Sequence, residues 1–328
     1  MKYRTLGKTG FKISSLSLGT WQVGGKWGSG FNHEHASKIL HTAVDAGVNF
    51  IDTADVYESG ESEKAVGRLV RERSEPIYVA TKCGRQLNPH VNASYTPAAL
   101  RQFVEDSLQR MELETIDLIQ LHCPPTEVYY RPEIFDLFDR LKEEGKIQHL
   151  GVSVEKVEEA IKAIEYPNVA SVQIIFNLFR QRPSELFFKL AKEANVGIIV
   201  RVPLASGLLT GLYSSATVFE EGDHRFFNRQ GAAFDKGETF SGIPYELGLK
   251  AVDRLKALFP KRDNLAPVAL QWILQFPEVS CIIPGASKIS QVHSNLSALE
   301  LPALRPEQIA AMNSVYGDLI KKEVHHIW

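Results

Sequence analysis

The sequence predicts an α/β protein, a (β/α)8 barrel (TIM barrel) with an N-terminal β-hairpin and a long loop after the seventh strand. Eight short segments, apolar or rich in β-branched residues, alternate with helical segments, and the strands recur at intervals of roughly 25 to 45 residues. No GxGxxG sequence follows the first strand, which disfavours a doubly wound dinucleotide-binding sheet. Polar residues end three of the strands, at the face where such barrels place their active sites.

The composition fits one barrel domain spanning residues 1–328. A hydrophobic fraction of 44% supports a large core, and a net charge of −2 gives no electrostatic case for nucleic acid or an anionic membrane as a partner. No apolar run is long enough to span a bilayer, and Met1-Lys2-Tyr3-Arg4 does not begin a secretory signal. The three cysteines lack metal-ligand spacing, so we expect free thiols, no metal site and a cytoplasmic location.

Turn and cap residues set the element boundaries. Residues 2–13 predict a hairpin that closes the amino-terminal mouth of the barrel. Gly47 follows the first helix as a C′ glycine, Thr96-Pro97 supplies an N-cap and an N1 proline for the third, and Gly145 ends the fourth. The predicted barrel strands are 16–21, 48–52, 77–82, 116–122, 149–153, 170–177, 196–202 and 279–284. The predicted helices are 34–46, 60–71, 96–110, 132–144, 155–164, 184–194, 245–258, 266–276, 289–299 and 306–321.

The segment 203–244 exceeds ordinary loop lengths and has no regular period. We interpret it as a lid or a mobile loop. Its five phenylalanines indicate that it folds over something: Phe219, Phe226, Phe227, Phe234 and Phe240.

Four polar side chains are predicted to converge at the carboxyl ends of the strands. Asp52, Lys82 and His122 each end a strand, and Tyr57 follows in the loop after Asp52. An ammonium close to a phenol favours the phenolate, a carboxylate keeps the lysine charged, and an imidazole can donate a hydrogen bond to a carbonyl oxygen. Taken alone, Asp52 could cap a loop and Tyr57 or His122 could be structural, but lysine is rarely buried without a partner. Together the four groups predict proton transfer to a carbonyl, with a hydride carrier required because no side chain supplies hydride.

The sequence strongly resembles the aldo-keto reductase superfamily over essentially the whole chain, and in particular its bacterial members of the general-stress type. The residues that carry the resemblance are Gly19-Thr20-Trp21, Asn49-Phe50-Ile51-Asp52-Thr53-Ala54, Tyr57, Gly60-Glu61-Ser62-Glu63, Lys82, Asp117-Leu118-Ile119-Gln120-Leu121-His122, Gly151-Val152-Ser153, Gln173, Asn177, residues 203–211 and residues 282–287. The resemblance implies metal-free reduction of small aldehydes or ketones with NADPH, or less often NADH. It also implies that Tyr57 is the general acid, that Lys82 and Asp52 tune it, and that His122 orients the carbonyl.

The resemblance also implies a set of cofactor contacts. Ser153 and Gln173 would hold the nicotinamide carboxamide, Leu204, Ser206, Gly207, Leu208 and Thr210 the pyrophosphate, and Gly285, Ser287, Lys288, Gln291 and Asn295 the adenosine end. Gly19, Thr20, Trp21, Asp52, Arg201 and Pro203 complete the set.

Three positions depart from the family pattern. Arg201 stands where many relatives stack an aromatic ring on the nicotinamide, and a guanidinium plane can also stack. Val154 stands where asparagine is common. Ser287 and Gln291 stand where the adenosine site often carries arginine, but Lys288 and Ser287 can still bind a 2′-phosphate, so NADPH is favoured.

The substrate pocket is predicted to be lined by Trp21, Tyr57, His122 and Trp27. The sequence allows either a monomer or a homo-oligomer. Two other functions are compatible with parts of this pattern. One is a regulatory protein that binds nicotinamide nucleotides as a redox sensor, as channel-associated relatives do, and the other is a Schiff-base aldolase with Lys82 as the nucleophile. The intact four-residue set favours the reductase.

Overall fold

A computed structural model describes residues 1–25 and 30–328. Eight parallel strands form the barrel, and each pairs with the next along the chain. They are β3 (Leu18–Gly19), β4 (Phe50–Asp52), β5 (Tyr78–Cys83), β6 (Ile116–His122), β7 (Ile147–Ser153), β8 (Val169–Ile175), β9 (Gly197–Arg201) and β10 (Val279–Ile282). Parallel bridges from Leu16 to Ile282 and from Gly19 to Gly285 close the barrel. The predicted (β/α)8 architecture is therefore confirmed.

The N-terminal hairpin seals the bottom of the barrel. It consists of β1 (Tyr3–Thr5) and β2 (Lys12–Ser14), paired antiparallel with Tyr3 opposite Ser14. Leu6 and Ile13 from the hairpin join a buried cluster with inward-facing strand residues such as Phe50. A side chain at Gly7 would begin 2.2 Å from the backbone nitrogen of Gly197, so this close approach requires glycine.

Among the described residues, ten helices lie at the predicted positions, with shifts at their ends, and two short ones, His224–Phe227 and Lys321–Val324, were not predicted. They are α1 (His33–Asp45), α2 (Glu61–Glu72), α3 (Pro97–Met111), α4 (Pro132–Glu143), α5 (Val157–Ala163), α6 (Phe187–Glu193), α7 (His224–Phe227), α8 (Tyr245–Leu258), α9 (Ala266–Leu274), α10 (Ile289–Leu296), α11 (Pro306–Val315) and α12 (Lys321–Val324). The predicted cap is present, because the Thr96 hydroxyl accepts a hydrogen bond from the Ala99 N–H at 3.2 Å.

Several boundaries differ from the sequence prediction for local reasons. Val202 adopts a left-handed φ of 51°, so β9 ends one residue early. The last predicted helix, 306–321, is interrupted by a π-helical turn at Tyr316–Ile320. The first barrel strand is shorter than predicted, since Leu16 contributes only a bridge.

The long loop (residues 203–244) contains short 3₁₀ turns and α7. Phe219 and Phe240 are buried and their rings pack beside Tyr245, whereas Phe226 is exposed. Two of its five phenylalanines thus pack against the start of α8, whereas at least one of the five does not. Within the described residues, no helix combines the length and the apolar character needed to cross a membrane.

Candidate active site

A cleft of about 540 Å³ lies at the carboxyl ends of the barrel strands. This volume is in the usual range for a small-molecule site. Its lining includes Tyr57 and His122, and also Lys288 and Asn295 at and within α10. The long loop contributes Ser206, Arg225 and Glu238, so it forms part of the wall.

The four predicted catalytic candidates come together at one end of the cleft. Lys82 Nζ donates hydrogen bonds to Asp52 Oδ1 at 2.6 Å, to the Thr53 carbonyl at 2.7 Å and to the Tyr57 hydroxyl at 3.2 Å. Lys82 is fully buried, at 0% exposure, whereas Asp52, Tyr57 and His122 line the cleft. The ammonium therefore lies behind the phenol and bridges it to the carboxylate.

Burial has the largest effect on the pKa of the Tyr57 phenol. It raises the pKa of Tyr57, and the nearby Lys82 opposes this shift without reversing it. For Lys82, burial acts against the charged form, but Asp52 and Tyr57 outweigh it and raise the pKa of the ammonium. At neutral pH the site thus holds a protonated phenol beside a charged lysine, so the Tyr57 proton is available for donation.

His122 is neutral. Burial, reinforced by the charges of Arg85 and Lys82, holds the pKa of His122 well below its ordinary value. Its ring lies edge-on to the Tyr57 ring, with the centroids 6.2 Å apart. Within the described part of the chain, the buried Nδ1 atom has no hydrogen-bond partner. A neutral imidazole beside the phenol can donate a single hydrogen bond to a carbonyl oxygen.

Two glutamine amides hold the carboxylate of Asp52. Asp52 Oδ2 accepts hydrogen bonds from Gln173 Nε2 at 2.7 Å and from Gln120 Nε2 at 3.1 Å. The sequence prediction placed Gln173 at the nicotinamide, and Gln173 does line the cleft. Gln120 was missed, although strand alternation places it on the same face as His122 two residues later.

The Gly60-Glu61-Ser62-Glu63 motif forms hydrogen bonds with residues at the strand ends. Ser62 Oγ donates to Thr20 Oγ1 at 2.7 Å and lies 2.9 Å from Thr53 Oγ1. Glu63, fully buried, accepts hydrogen bonds from Thr81 and Arg110. These contacts link the ends of β3, β4 and β5, and two of the catalytic candidates, Asp52 and Lys82, belong to β4 and β5.

Aromatic rings line the mouth of the site beside Tyr57. The Trp21 ring centroid lies 6.1 Å from that of Tyr57 and 4.8 Å from that of His224. Phe234 completes the group at 6.1 Å from Trp21. Trp21 was predicted here, whereas His224 was missed because it lies in the irregular loop. The other predicted pocket residue, Trp27, lies outside the described residues.

Most of the predicted cofactor contacts line the cleft. Those that do so are Gly19, Thr20, Trp21, Asp52, Gln173, Arg201, Pro203, Leu204, Ser206, Gly207, Thr210, Gly285, Lys288, Gln291 and Asn295. Three do not. Ser153 is fully buried with its hydroxyl 3.5 Å from Cys123 Sγ, and Leu208 is packed into the core. Ser287 donates to Gln291 through both its N–H and its hydroxyl.

Arg201 belongs to a buried network of charges that the sequence did not reveal. Its guanidinium pairs with Glu155 at 2.9 Å and with Glu238 at 3.3 Å, and it donates to the Val154 carbonyl at 3.1 Å. Glu238 also pairs with Arg85 at 2.7 Å. Although burial acts against the charged form of Glu238, the two guanidinium groups lower its pKa. Glu238 is therefore a charged carboxylate in the cleft wall, held between Arg85 and Arg201.

One cluster among the described residues has ligand atoms close enough for a metal ion, since Cys123, Glu155 and Glu238 approach within 4.8 Å of one another. Both carboxylates already pair with Arg201. A cation there would face that guanidinium charge, so the cluster does not favour metal binding.

The donor groups that line the cleft fit a dinucleotide. The start of α10, with Lys288 as its N-cap, offers a cation and backbone N–H groups suited to phosphate. Gly207, predicted to contact the pyrophosphate, lines the cleft with a φ of 94°, and a side chain there would begin 2.4 Å from the Tyr213 hydroxyl, so the close approach of that ring requires glycine.

The comparisons with known proteins agree with this geometry. The model of the Aldo/keto reductase family matches residues 15–317. The solved structure of the glycerol dehydrogenase AKR11B4 from Gluconobacter oxydans is similar, with a TM-score of 0.76 and 30% identity over 97% of this chain and 96% of that chain. The uncharacterized oxidoreductase YqkF of Bacillus subtilis is 29% identical over 96% of each chain. The NADH-specific methylglyoxal reductase of Escherichia coli is 27% identical over 92% of this chain and 94% of its own.

The family model covers nearly the whole chain. The protein therefore belongs to the aldo/keto reductase family of oxidoreductases, which act on carbonyl and alcohol groups.

Proposed function

We propose that this protein reduces small aldehydes or ketones to alcohols with NADPH, and that Tyr57 is the general acid. The observation that carries the proposal is the Lys82 ammonium, hydrogen-bonded to both Asp52 and Tyr57 beside a cleft that Lys288 also lines. This arrangement combines a proton donor with a cation suited to phosphate in the lining of one cleft.

Each side chain has a distinct role in the proposal. The substrate carbonyl lies between Tyr57 and His122, where the neutral imidazole donates a hydrogen bond that orients the oxygen. Tyr57 gives its proton to that oxygen, and the phenolate that remains is stabilised by Lys82 at 3.2 Å. Asp52 keeps the ammonium in place, and Gln120 and Gln173 keep Asp52 in place. When bound, the nicotinamide supplies the hydride.

The preference for NADPH is supported by Lys288, which lines the cleft at the start of α10. A cation at a helix N-terminus favours the extra 2′-phosphate of NADPH. A relative is named as NADH-specific, so both nucleotides belong in the test. Fifteen cleft-lining residues named above form the proposed cofactor site. Ser153 enters it only if its hydroxyl turns away from Cys123.

Arg201 remains in the proposal as the group that stacks on the nicotinamide. It lines the cleft, and Glu155, Glu238 and the Val154 carbonyl fix its guanidinium from the edges. Contacts at the edges leave a guanidinium face available for stacking.

The direct test is a titration of the protein with NADPH and NADH, followed by turnover with a panel of aldehydes and ketones. Tyr57→Phe should bind NADPH as the wild type does but lower kcat by roughly 10² to 10⁴-fold, because it removes only the proton donor. Tyr130→Phe, at an exposed tyrosine, is the matched control and should retain full activity.

Each failure has its own meaning. Full activity of Tyr57→Phe would refute the role of Tyr57. Tight nucleotide binding by the wild type without turnover of any carbonyl would instead favour the redox-sensing function. Covalent trapping of a substrate on Lys82 by borohydride would favour the aldolase.

A further inference from the structure

Trp328 is buried against the outer side of the long loop, at 3% exposure. Its indole N–H donates a hydrogen bond to Asp235 Oδ1 at 2.9 Å. A side chain at Gly242 would begin 2.4 Å from the indole ring, and one at Gly237 would begin 2.9 Å from it. The ring therefore fills a hollow that two glycines leave open in the turn formed by residues 235–242.

The indole also covers a buried cation. The guanidinium of Arg180 lies over the ring at 4.0 Å from its centroid, and Arg180 is 1% exposed. Arg180 also contacts the turn itself, because its Nη2 donates a hydrogen bond to the Ser241 carbonyl at 3.1 Å. No carboxylate of the described chain forms an ion pair with it, and burial lowers the pKa of Arg180 to about 10. The indole face is thus a principal partner of this charge.

The inner side of the same turn reaches the cleft. Glu238 follows Gly237 directly, lines the cleft, and pairs with Arg85 and Arg201. The Glu238 carbonyl accepts a hydrogen bond from Ser206 Oγ at 3.1 Å. Ser206 Oγ in turn accepts a hydrogen bond from the Phe240 N–H at 3.0 Å. The turn that Trp328 packs against thus carries Glu238 in the cleft lining.

We propose that Trp328 is a positioning residue that holds the turn 235–242 against the barrel, and thereby keeps Glu238 between Arg85 and Arg201 so that ligand is retained in the cleft. The part that concerns ligand rests on the proposed function, with NADPH as the ligand. Without the indole, the hollow at the two glycines opens to water and Arg180 loses the ring that covers it. The turn then moves outward, the Glu238 pairs loosen, and bound nucleotide leaves faster.

The first experiment measures NADPH dissociation by stopped-flow nucleotide fluorescence, on the full chain of folded variants. Trp328→Ala should raise the dissociation rate by about 3- to 30-fold, the range expected from loss of a desolvated cation–π contact together with its packing. Trp328→Phe keeps a ring over Arg180 but lacks the N–H donor, so it should fall between Trp328→Ala and the wild type. Ile327→Ala, at a neighbouring exposed residue, is the control and should match the wild type.

A double-mutant cycle separates positioning from a general loss of stability. Glu238→Gln should itself speed NADPH release, and the double variant Trp328→Ala/Glu238→Gln should be no faster than the faster single variant, because both changes act through the same contact. Rates that multiply in the double variant would overturn the proposal. So would a lower Tm in Trp328→Ala with a dissociation rate within twofold of the wild type.

A second readout requires no nucleotide. Trypsin should cleave the long loop at Arg229 or Lys236 faster in Trp328→Ala than in the wild type or in Ile327→Ala, since the turn is no longer held. Unchanged cleavage overturns the positioning role. Faster cleavage in a protein that binds neither NADPH nor NADH would support the positioning role and refute the proposed function alone.

Discussion

Replacing Lys82 by methionine tests the central ion pair of the site. The change keeps the length of the side chain and removes its charge. Three hydrogen bonds are lost, to Asp52, to the Thr53 carbonyl and to Tyr57. Asp52, at 1% exposure, is left as a buried carboxylate held only by the amides of Gln120 and Gln173.

Two magnitudes follow from this geometry. Breaking a buried ion pair by removing one partner costs about 3–5 kcal/mol of unfolding free energy. This is a large part of the ~5–15 kcal/mol that stabilises most proteins, so the variant should fold but be easily denatured. Loss of the charge that stabilises the Tyr57 phenolate should lower kcat by roughly 10² to 10³-fold, as removal of one preorganised donor does.

The double variant Lys82→Met/Asp52→Asn separates the two effects. Neutralising Asp52 removes the unpaired buried charge, so it should restore about 2–3 kcal/mol of stability. It should restore no activity, because the phenolate still lacks its cation. Stability is measured by urea unfolding at pH 7.5, and activity by carbonyl reduction with saturating cofactor.

The reasoning would be refuted if Lys82→Met were as stable as the wild type to within about 1 kcal/mol, since a paired and desolvated charge cannot be lost at so small a cost. A double variant less stable than the single one would refute it equally. Lys38→Met, at an exposed lysine paired with Glu34, is the control and should change stability by less than about 0.5 kcal/mol.

Three further predictions concern other parts of the molecule. Burial, reinforced by Glu63 and opposed by Arg110, raises the pKa of Asp55 to about 7, so the folded state binds this proton more tightly than the unfolded state and stability falls as pH rises from about 4 through 7. Asp55→Asn should therefore match the wild type near pH 4 and exceed it by on the order of 2–4 kcal/mol near pH 8.5; urea-unfolding curves that differ equally at both pH values would contradict this. Gly67→Ala should destabilise the protein by about 2–3 kcal/mol despite the better helix propensity of alanine, because its Cβ would lie 2.1 Å from the Met111 carbonyl; an unchanged Tm would contradict the packing argument. Lys288→Met should weaken NADPH binding by roughly 10-fold or more and leave NADH binding nearly unchanged, and an equal loss for both nucleotides would show that Lys288 does not contact the 2′-phosphate.

Local sequence patterns were sufficient to predict the barrel and to identify the catalytic candidates. Strand period and helix caps act over a few residues, so they predicted β6 at residues 116–122 and the start of α3 after Thr96. The ends of parallel strands meet at one face of a barrel. Asp52, Lys82 and His122 could therefore be placed together once the strands were identified.

Only the tertiary structure shows which charged groups lie around the catalytic candidates. Glu155, Glu238 and Arg85 meet around Arg201, although the two glutamates lie 83 residues apart in sequence, 155 against 238, and neither belongs to a barrel strand. Glu238 lies in a loop without a repeating pattern. Its position follows from the path of that loop across the barrel, which no local rule predicts.

The direction of a side chain was also beyond the sequence in several cases. Ser153 ends β7 as predicted, yet its hydroxyl turns toward Cys123 and away from the cleft. The burial of Trp328 likewise depends on two glycines and a cation, Gly237, Gly242 and Arg180, that only the folded chain brings to one place. The sequence by itself thus determined the strands, the helices and the residues at the strand ends, because these follow from short-range periodicity. The charged wall of the cleft and the support of its long loop were decided by the tertiary structure, because they arise from contacts between segments with no common period.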